Sequence, residues 1–337
     1  MSTSRRPPAA GRPSRSFADT PVDFAGPIHG AGWPDESLTV RSFAKVNLGL
    51  KIVGRRTDGF HELRTVFQSV DLCDRLTFTA RRDSRILLKC PAVPLPLGPD
   101  NLVVAAARLL STATGLRRGV NILLEKGIPV GAGLGGGSSN AASTLLALCR
   151  FFKLELQAHQ MLQIASALGS DVPFFLLGGR ALGVGRGDEL FPLSDVKATT
   201  LLLAHPTGVC ISTPDAYGRA SLWLTNRRPA NNMARFGSEV FEKVSALDLF
   251  ENDFENVLFP EYPELRHLKT ALLAVGAQGA QMTGSGSAVF GIFPSISDAR
   301  RAERELQSLL SASSLSTFVV RSIPRSQYLK RIFAASR

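Results

Sequence analysis

The 337-residue sequence contains little cysteine, and the four cysteines present are widely scattered. Cys73, Cys90, Cys149 and Cys210 form no Cys-x-x-Cys pair, and no histidine pair lies beside any of them. A zinc site and a disulfide framework are therefore disfavoured, because both need cysteines at short, repeated intervals. We expect free thiols, as is usual in a reducing cytoplasm.

Long apolar runs are also absent. The longest, such as Thr200–Ala204, are far shorter than the roughly 20 residues that a membrane-spanning helix requires. With 44% apolar and 20% charged residues, the composition is that of an ordinary globular protein. The chain is long enough for two domains, and we do not expect it to span a membrane.

Acidic residues are too few to balance the basic ones, and the formal net charge is +11. Such a charge attracts polyanions, which include nucleic acids but also cofactors and substrates with several phosphates. The arginines are spread along the chain without interleaved aromatic residues, and we find no RNA-binding signature. We therefore expect a phosphate-bearing small molecule as partner, and not nucleic acid.

Residues 1–37 are rich in serine, proline, arginine and glycine. This composition cannot bury an apolar core, so we predict a disordered basic extension. The early part contains few acidic residues, which is also typical of a plastid-type targeting segment. It has no apolar segment of the kind found in a secretory signal.

The rest of the chain mixes strand and helix patterns. Leu38–Val53 alternates apolar and polar residues, which predicts a strand whose polar face carries Lys45 and Asn47 about 7 Å apart. Further strands are predicted at Leu63–Leu72, Arg75–Thr79, Val120–Glu125, Leu201–Ala204, Ser316–Arg321 and on both sides of a glycine turn within Ala280–Phe293. Helices are predicted at Asn101–Thr112, Ser138–Phe152, Gln157–Ala167, Leu265–Leu273 and Ser297–Ser311.

The order of these patterns favours an α+β fold with mixed or antiparallel sheets, because the regular strand–helix repeat of a doubly wound sheet is missing. We predict an N-terminal domain over residues 38–195 and a C-terminal domain over residues 196–337. The stretch from Asp215 to Glu251 gives no clear pattern.

A glycine-rich loop gives the strongest functional signal. Its bare backbone lets a phosphate approach the amides closely, and the N-terminus of the helix that follows favours an anion. We predict that it binds ATP phosphates, with two serine hydroxyls as further donors and a contact for Mg²⁺. The residues are Pro129, Val130, Gly131, Ala132, Gly133, Leu134, Gly135, Gly136, Gly137, Ser138 and Ser139.

The loop differs from two other nucleotide-binding motifs. It is not a Walker A element, because no Gly-Lys-Ser/Thr follows. It contains the dinucleotide fingerprint Gly-x-Gly-x-x-Gly from Gly131 to Gly136, but the acidic residue expected after the next strand, about 20 residues on, is missing. A nicotinamide-dependent oxidoreductase is therefore the weaker alternative to a kinase.

Asp171 is the candidate general base. It lies between Gly169 and Pro173, at the start of a segment, where a carboxylate could accept a hydroxyl proton during phosphoryl transfer or could simply cap a helix. Lys45 is the candidate cation, with an ordinary exposed strand lysine as the alternative. Gly284-Ser-Gly286 could be a hairpin turn or a second loop near phosphate, and both interpretations stay open.

Four segments occur in the order typical of the GHMP kinases, which phosphorylate galactose, homoserine, mevalonate and related alcohols. The sequence resembles this family from about residue 38 to 330, closely up to about 215. The resemblance implies a two-domain kinase that uses ATP and Mg²⁺ in a cleft between its domains, as monomer or homodimer. The segments are Phe43–Leu48, Pro129–Asn140, Gly169–Phe174 and Met282–Gly286.

A fifth segment, Gly54–Leu63, resembles the branch of the family that acts on 4-(cytidine 5'-diphospho)-2-C-methyl-D-erythritol, here called CDP-methylerythritol. That resemblance implies phosphorylation of the substrate's 2-hydroxyl in the non-mevalonate route to isoprenoid precursors. A homoserine or mevalonate kinase is the alternative within the family, although a homoserine site would not need Asp58–His61.

Site roles also follow from this resemblance. Lys45 and Asp171 would form the catalytic pair, in which Asp171 takes the hydroxyl proton and Lys45 orients the hydroxyl. Substrate contacts would come from Asn47 at the methylerythritol end, His61 at the cytosine edge, Phe60 and Tyr217 on the two faces of the base, and Thr213 at the phosphates. The family often has tyrosine where this chain has Phe60.

Overall fold

The computed structural model describes residues 37–225, 251–310 and 314–334. The extension predicted at 1–37 therefore lies, apart from residue 37, outside the described residues, as do residues 226–250 of the unassigned stretch. Two sheets with packed helices form the described part, which confirms the predicted α+β class.

The first sheet is built on one long strand, β2. It contains β1 (Leu38–Arg55), β2 (His61–Ala80), β3 (Ile86–Lys89), β4 (Val120–Glu125), β5 (Arg180–Gly185) and β6 (Glu189–Pro192). Strand β1 pairs antiparallel with β2 along its length, while β4 and β5 pair with successive parts of the other edge. Strand β3 is parallel to β4, so the sheet is mixed.

The sequence predicted two strands where β2 is continuous. The polar residues near Asp74 interrupt the apolar pattern, but the Asp74 carboxylate is fully buried and accepts hydrogen bonds, so the ladder to β1 continues across it. Buried polar groups are tolerated inside a strand when partners satisfy them.

Four helices pack on this sheet. They are α1 (Leu102–Thr114), α2 (Gly136–Phe152), α3 (Ala158–Leu168) and α4 (Val172–Leu177). Helix α1 begins after Asn101, whose side chain accepts from the Val103 N–H at 3.0 Å, and ends at left-handed Gly115. Helix α2 is buried along most of its length by small and apolar residues, and this fixes the position of its N-terminus.

The second sheet is antiparallel throughout. Its strands β7 (Thr200–Pro206), β8 (Gly279–Met282), β9 (Val289–Phe293) and β10 (Leu315–Arg321) lie in the order β10-β7-β9-β8. The remaining described helices are α5 (Thr213–Thr225), α6 (Asp253–Leu258), α7 (Pro263–Ala274), α8 (Ile296–Leu310) and α9 (Arg325–Ile332). None of the described helices has the length and apolar character needed to cross a membrane.

Strand β1 belongs to both halves of the molecule. Val40 and Phe43 lie in the core of the first sheet, whereas Leu50 and Ile52 pack into the core of the second. The terminal helix α9 returns to the first core, where Tyr328 is fully buried. The sequence-based division at residue 195 stays a prediction, although the first sheet ends at Pro192 and the second begins at Thr200.

Candidate active site

A cavity of about 980 Å³ is lined by residues from both halves of the chain. Nearly all residues predicted for the site line this one cavity. They are Lys45, Asn47, Phe60, His61, the loop from Pro129 to Ser138, Asp171, Thr213 and Tyr217.

The glycine loop links β4 to α2 and crosses between the two sheets. Lys45 on β1 donates its backbone N–H to the Leu134 carbonyl at 3.0 Å, and Ala288 near β9 donates to the Ala132 carbonyl at 3.1 Å. Gly133 has φ of +75°, and a Cβ placed there would lie 2.3 Å from the Thr283 carbonyl oxygen. Only glycine fits this crossing, because both the conformation and the space exclude a side chain.

The loop ends at the N-terminus of α2. The N-cap residue Gly135 offers no side-chain hydrogen bond, and Gly136, Gly137 and Ser138 line the cavity. The first backbone N–H groups of a 17-residue helix, together with its dipole, make a favourable position for a phosphate.

Ser139 lies differently from its neighbours, and its predicted contact with ATP does not agree with this placement. Its fully buried hydroxyl donates to the Phe43 carbonyl at 2.6 Å and accepts from the Ser42 hydroxyl at 2.7 Å. Its backbone N–H donates to the Gly135 carbonyl at 2.9 Å. Ser139 therefore fastens α2 to β1, because its polar groups are already occupied.

A buried aspartate that the sequence reasoning missed, Asp74, holds the residues on both sides of the loop. The Asp74 carboxylate accepts from the Gly127 and Ile128 N–H groups and from the Asn140 amide, each at 2.8 Å, and it pairs with the Lys126 ammonium. The sequence gives little signal for it, because Asp74 stands among other polar residues of β2, such as Asp71 and Arg75. These bonds fix both the entry to the loop and the start of α2.

The buried lysine and the acid at the predicted catalytic positions face each other. Lys45 Nζ lies 3.5 Å from Asp171 Oδ2 and donates to Asn47 Oδ1 at 2.6 Å. The Lys45 side chain is 4% exposed and that of Asp171 35%. Asp171 stands at the N-cap position of α4 but makes no capping hydrogen bond, so its carboxylate is free of that role.

The second glycine turn lies against this pair. Gly284 to Gly286 join β8 to β9, so the hairpin interpretation holds, and the same residues line the cavity. A Cβ at Gly284 would lie 3.2 Å from Lys45 Nζ. Asn252 holds the turn by donating its amide to the Met282 carbonyl at 2.8 Å and to the Gly284 carbonyl at 2.9 Å.

At the other end of the cavity, a ring from the start of β2 and one from α5 come together. The His61 and Tyr217 ring centres are 5.0 Å apart, and His61 is 8% exposed. Burial, and then the charge of Arg55, lower the pKa of His61 from its ordinary value, so the ring is neutral at pH 7. Burial likewise raises the pKa of the Tyr217 hydroxyl.

Phe60 differs from these rings in being half exposed. The Arg186 guanidinium, a residue that sequence reasoning missed, lies 4.8 Å from the Phe60 ring centre. Thr213, the first residue of α5, lies near the second glycine turn, with its hydroxyl 3.4 Å from that of Ser285.

This arrangement joins a phosphate-binding helix terminus to a buried cation, a carboxylate and an aromatic pocket. Such a set can hold a nucleotide, deprotonate an alcohol and transfer a phosphoryl group to it. The fold and the site therefore define a small-molecule kinase.

Comparisons with known proteins agree with this class. Residues 101–179 match the GHMP kinases N terminal domain, and residues 230–312 match the GHMP kinases C terminal domain. The chain is 41% identical over 279 residues to the 4-diphosphocytidyl-2-C-methyl-D-erythritol kinase of Prosthecochloris aestuarii, covering 82% of this chain and 96% of that relative. It is 44% identical over 260 residues to the enzyme of the same name from Solibacter usitatus, covering 75% and 80%.

A solved structure is similar over nearly the same length. The crystal structure of a 4-(cytidine 5'-diphospho)-2C-methyl-D-erythritol kinase aligns with a TM-score of 0.70 and 35% identity, covering 85% of this chain and all of that one. The chain belongs to the GHMP kinases and, within them, to the 4-diphosphocytidyl-2-C-methyl-D-erythritol kinases. The resemblance noted in the sequence is thereby confirmed, and ATP is the co-substrate.

Proposed function

We propose that the protein transfers the γ-phosphoryl group of ATP to the 2-hydroxyl of CDP-methylerythritol, in the non-mevalonate route to isoprenoid precursors. The observation that carries this proposal is a single cavity with two different ends. One end has the glycine loop beside Lys45 and Asp171, and the other has Phe60, His61 and Tyr217.

In this proposal, the glycine loop holds the ATP phosphates. The amides from Gly131 to Ser138 surround the phosphates, while Ser139 keeps α2 in place. Because phosphoryl transfer needs mainly positioning and charge stabilisation, a rigid set of N–H donors supplies a large share of the catalysis. The hydrogen bonds from Lys45 and Ala288 to the loop support this rigidity.

Asp171 would act as the general base and take the proton of the attacking hydroxyl. Lys45 would orient that hydroxyl and offset the charge that develops on the transferred group. The 3.5 Å ion pair supports these roles, because it places the Asp171 carboxylate beside the cation that would offset the developing charge, and Asp171 stays 35% exposed while lining the cavity. Asn47 would contact the methylerythritol end, and its bond to Lys45 orders both side chains.

The cytidine would bind at the aromatic end, between Phe60 and Tyr217. Stacking of a base on an aromatic side chain contributes about 1–3 kcal/mol. His61 would read the cytosine edge, and Thr213 would contact the diphosphate. Net positive charge favours a complex in which ATP and a diphosphate substrate bind together.

Mg²⁺ would arrive with the ATP phosphates, where it would neutralise charge on the transferred group. Within the described ranges, no group of three or more His, Cys, Asp or Glu side chains could hold a metal ion. The cavity does offer the Ser138 hydroxyl and the Asp171 carboxylate. This fits a metal held mainly by substrate phosphates with one or two protein oxygens.

The test is an ADP-release assay with CDP-methylerythritol, homoserine and mevalonate as parallel acceptors. We expect turnover with CDP-methylerythritol alone. Faster ADP release with homoserine or mevalonate would overturn the proposed substrate while leaving the family unchanged. Light scattering on the same sample would decide between the predicted monomer and homodimer.

A further inference from the structure

His61 is held by a residue that none of the motifs includes. Ser221 lies one helical turn after Tyr217 on α5, and its hydroxyl oxygen is 2.9 Å from His61 Nε2. The same hydroxyl lies 3.1 Å from the Tyr217 carbonyl oxygen, to which it donates. His61, Tyr217 and Ser221 all line the cavity.

One arrangement satisfies both contacts of Ser221 at once. A serine hydroxyl has one proton, and a carbonyl oxygen can only accept, so a hydroxyl that donates to Tyr217 leaves its oxygen to accept from His61. In that arrangement the imidazole proton lies on Nε2. A neutral imidazole has only one N–H, so Nδ1 carries a lone pair.

Nδ1 is available to a ligand. Nδ1 makes no hydrogen bond with the residues that the structure describes. The buried polar atoms without a partner in those residues do not include it. The Tyr217 ring packs over the imidazole, and Arg55 lies near enough to disfavour a second positive charge. The ring is therefore both fixed in place and kept neutral.

We propose that Ser221 is a positioning residue that sets the Nε2–H form of His61, so that Nδ1 accepts a hydrogen bond from an exocyclic amino group and selects cytosine over uracil. Cytosine carries an amino donor at C4, where uracil carries a carbonyl acceptor. A lone pair on Nδ1 bonds to the first and repels the second. The inference rests on the proposed function, since it deepens the role given to His61.

The first experiment needs no substrate. Long-range ¹H–¹⁵N NMR of the full-length free protein at pH 8 reports which ring nitrogen carries the proton, and a His61→Gln spectrum assigns the signal among the five histidines. We expect His61 in the Nε2–H form, and a mixture of both forms in Ser221→Ala. A proton on Nδ1 in the wild-type protein overturns the proposal, whatever the enzyme phosphorylates.

The second experiment measures base selectivity with CDP-methylerythritol and its uridine analogue. In Ser221→Ala we expect KM for the cytidine substrate to rise about 3- to 10-fold, the scale of one lost hydrogen bond, and selectivity to fall with it. kcat should stay unchanged, and Ser221→Thr, which keeps the hydroxyl, should restore selectivity.

A matched control is Ser111→Ala. Ser111 makes the same helical bond as Ser221, donating to the Ala107 carbonyl at 2.9 Å, but in α1 and without a histidine. It should change neither KM nor selectivity. Unchanged selectivity in Ser221→Ala overturns the proposal, whereas failure of the wild type to use CDP-methylerythritol at all overturns the proposed function and leaves the tautomer result standing.

Discussion

The two ends of the cavity differ in the groups that line them, backbone at one end and side chains at the other. At the end with the glycine loop, where we propose that the ATP phosphates bind (the phosphate end), backbone amides and glycines form much of the surface, and the charged side chains Lys45 and Asp74 are buried and paired. At the end with Phe60, His61 and Tyr217, where we propose that the cytosine binds (the base end), side chains form the surface, and Phe60 is half exposed.

This difference suits the two groups that we propose bind there, a chain of phosphates and a cytosine base. Phosphate is the same in every nucleotide, so backbone N–H groups can bind it without distinguishing one base from another. A base is told from another base only through ring stacking and edge hydrogen bonds, which side chains supply. Changes at the phosphate end should therefore affect turnover, while changes at the base end should affect which substrate binds.

The largest effect is expected from Asp171→Asn. Loss of the proposed general base should lower kcat by about 10²–10⁴-fold, with little change in ATP affinity. Steady-state ADP release and calorimetric ATP binding would measure the two quantities. Asp298→Asn, which alters a surface carboxylate paired with Arg301, is the control and should keep full activity. Near-normal turnover would show that Asp171 is only the residue at the start of α4.

A second change tests the rigidity of the phosphate end. Gly133→Ala should lower kcat/KM for ATP by about 10²-fold or more, since misplacement by about 1 Å is known to cost this much. Gly208→Ala is the matched control, because Gly208 also has positive φ but has open space around it. Thermal unfolding should show that its free energy of unfolding falls by only about 1–2 kcal/mol, the cost of a left-handed backbone at alanine. Equal activity in both variants would show that the loop tolerates displacement.

At the base end, Phe60→Ala should raise KM for CDP-methylerythritol by about 5- to 150-fold, equivalent to one lost stacking face, and leave KM for ATP unchanged. Phe191→Ala is a suitable control, because Phe191 is exposed to the same extent, 51%, but does not line the cavity. An equal loss for both substrates would contradict the separation of the two ends.

The smallest effect concerns pH. Because the pKa of His61 lies below its ordinary value of 6.5, kcat/KM for the cytidine substrate should be flat above pH 6.5 and fall at lower pH, when Nδ1 gains a proton. The neutral His61 also contributes folding stability that is present above pH 6.5 and lost as the pH falls, because the unfolded chain then binds the proton more readily. In His61→Gln, the fall of kcat/KM for the cytidine substrate at low pH should disappear.

Sequence reasoning succeeded where the signal is local. The alternation around Lys45 predicted β1, and the glycine run predicted the loop at the start of α2. It could not predict that Ser139 points inward or that Asn252 holds the second glycine turn, because those bonds join residues 96 and 32 positions apart. Asp74 was missed for the same reason, since its partners follow about 50 residues later.

The glycine loop is held by backbone bonds from Lys45 in the first half of the chain and from Ala288 in the second. Contacts from both halves of the chain therefore determine the conformation of the loop. In a recombinant enzyme that joins the first half of this chain to the second half of a distant relative, the contacts that hold the glycine loop would come from two different proteins. Gly133 and the turn from Thr283 to Gly286 must consequently come from the same parent protein.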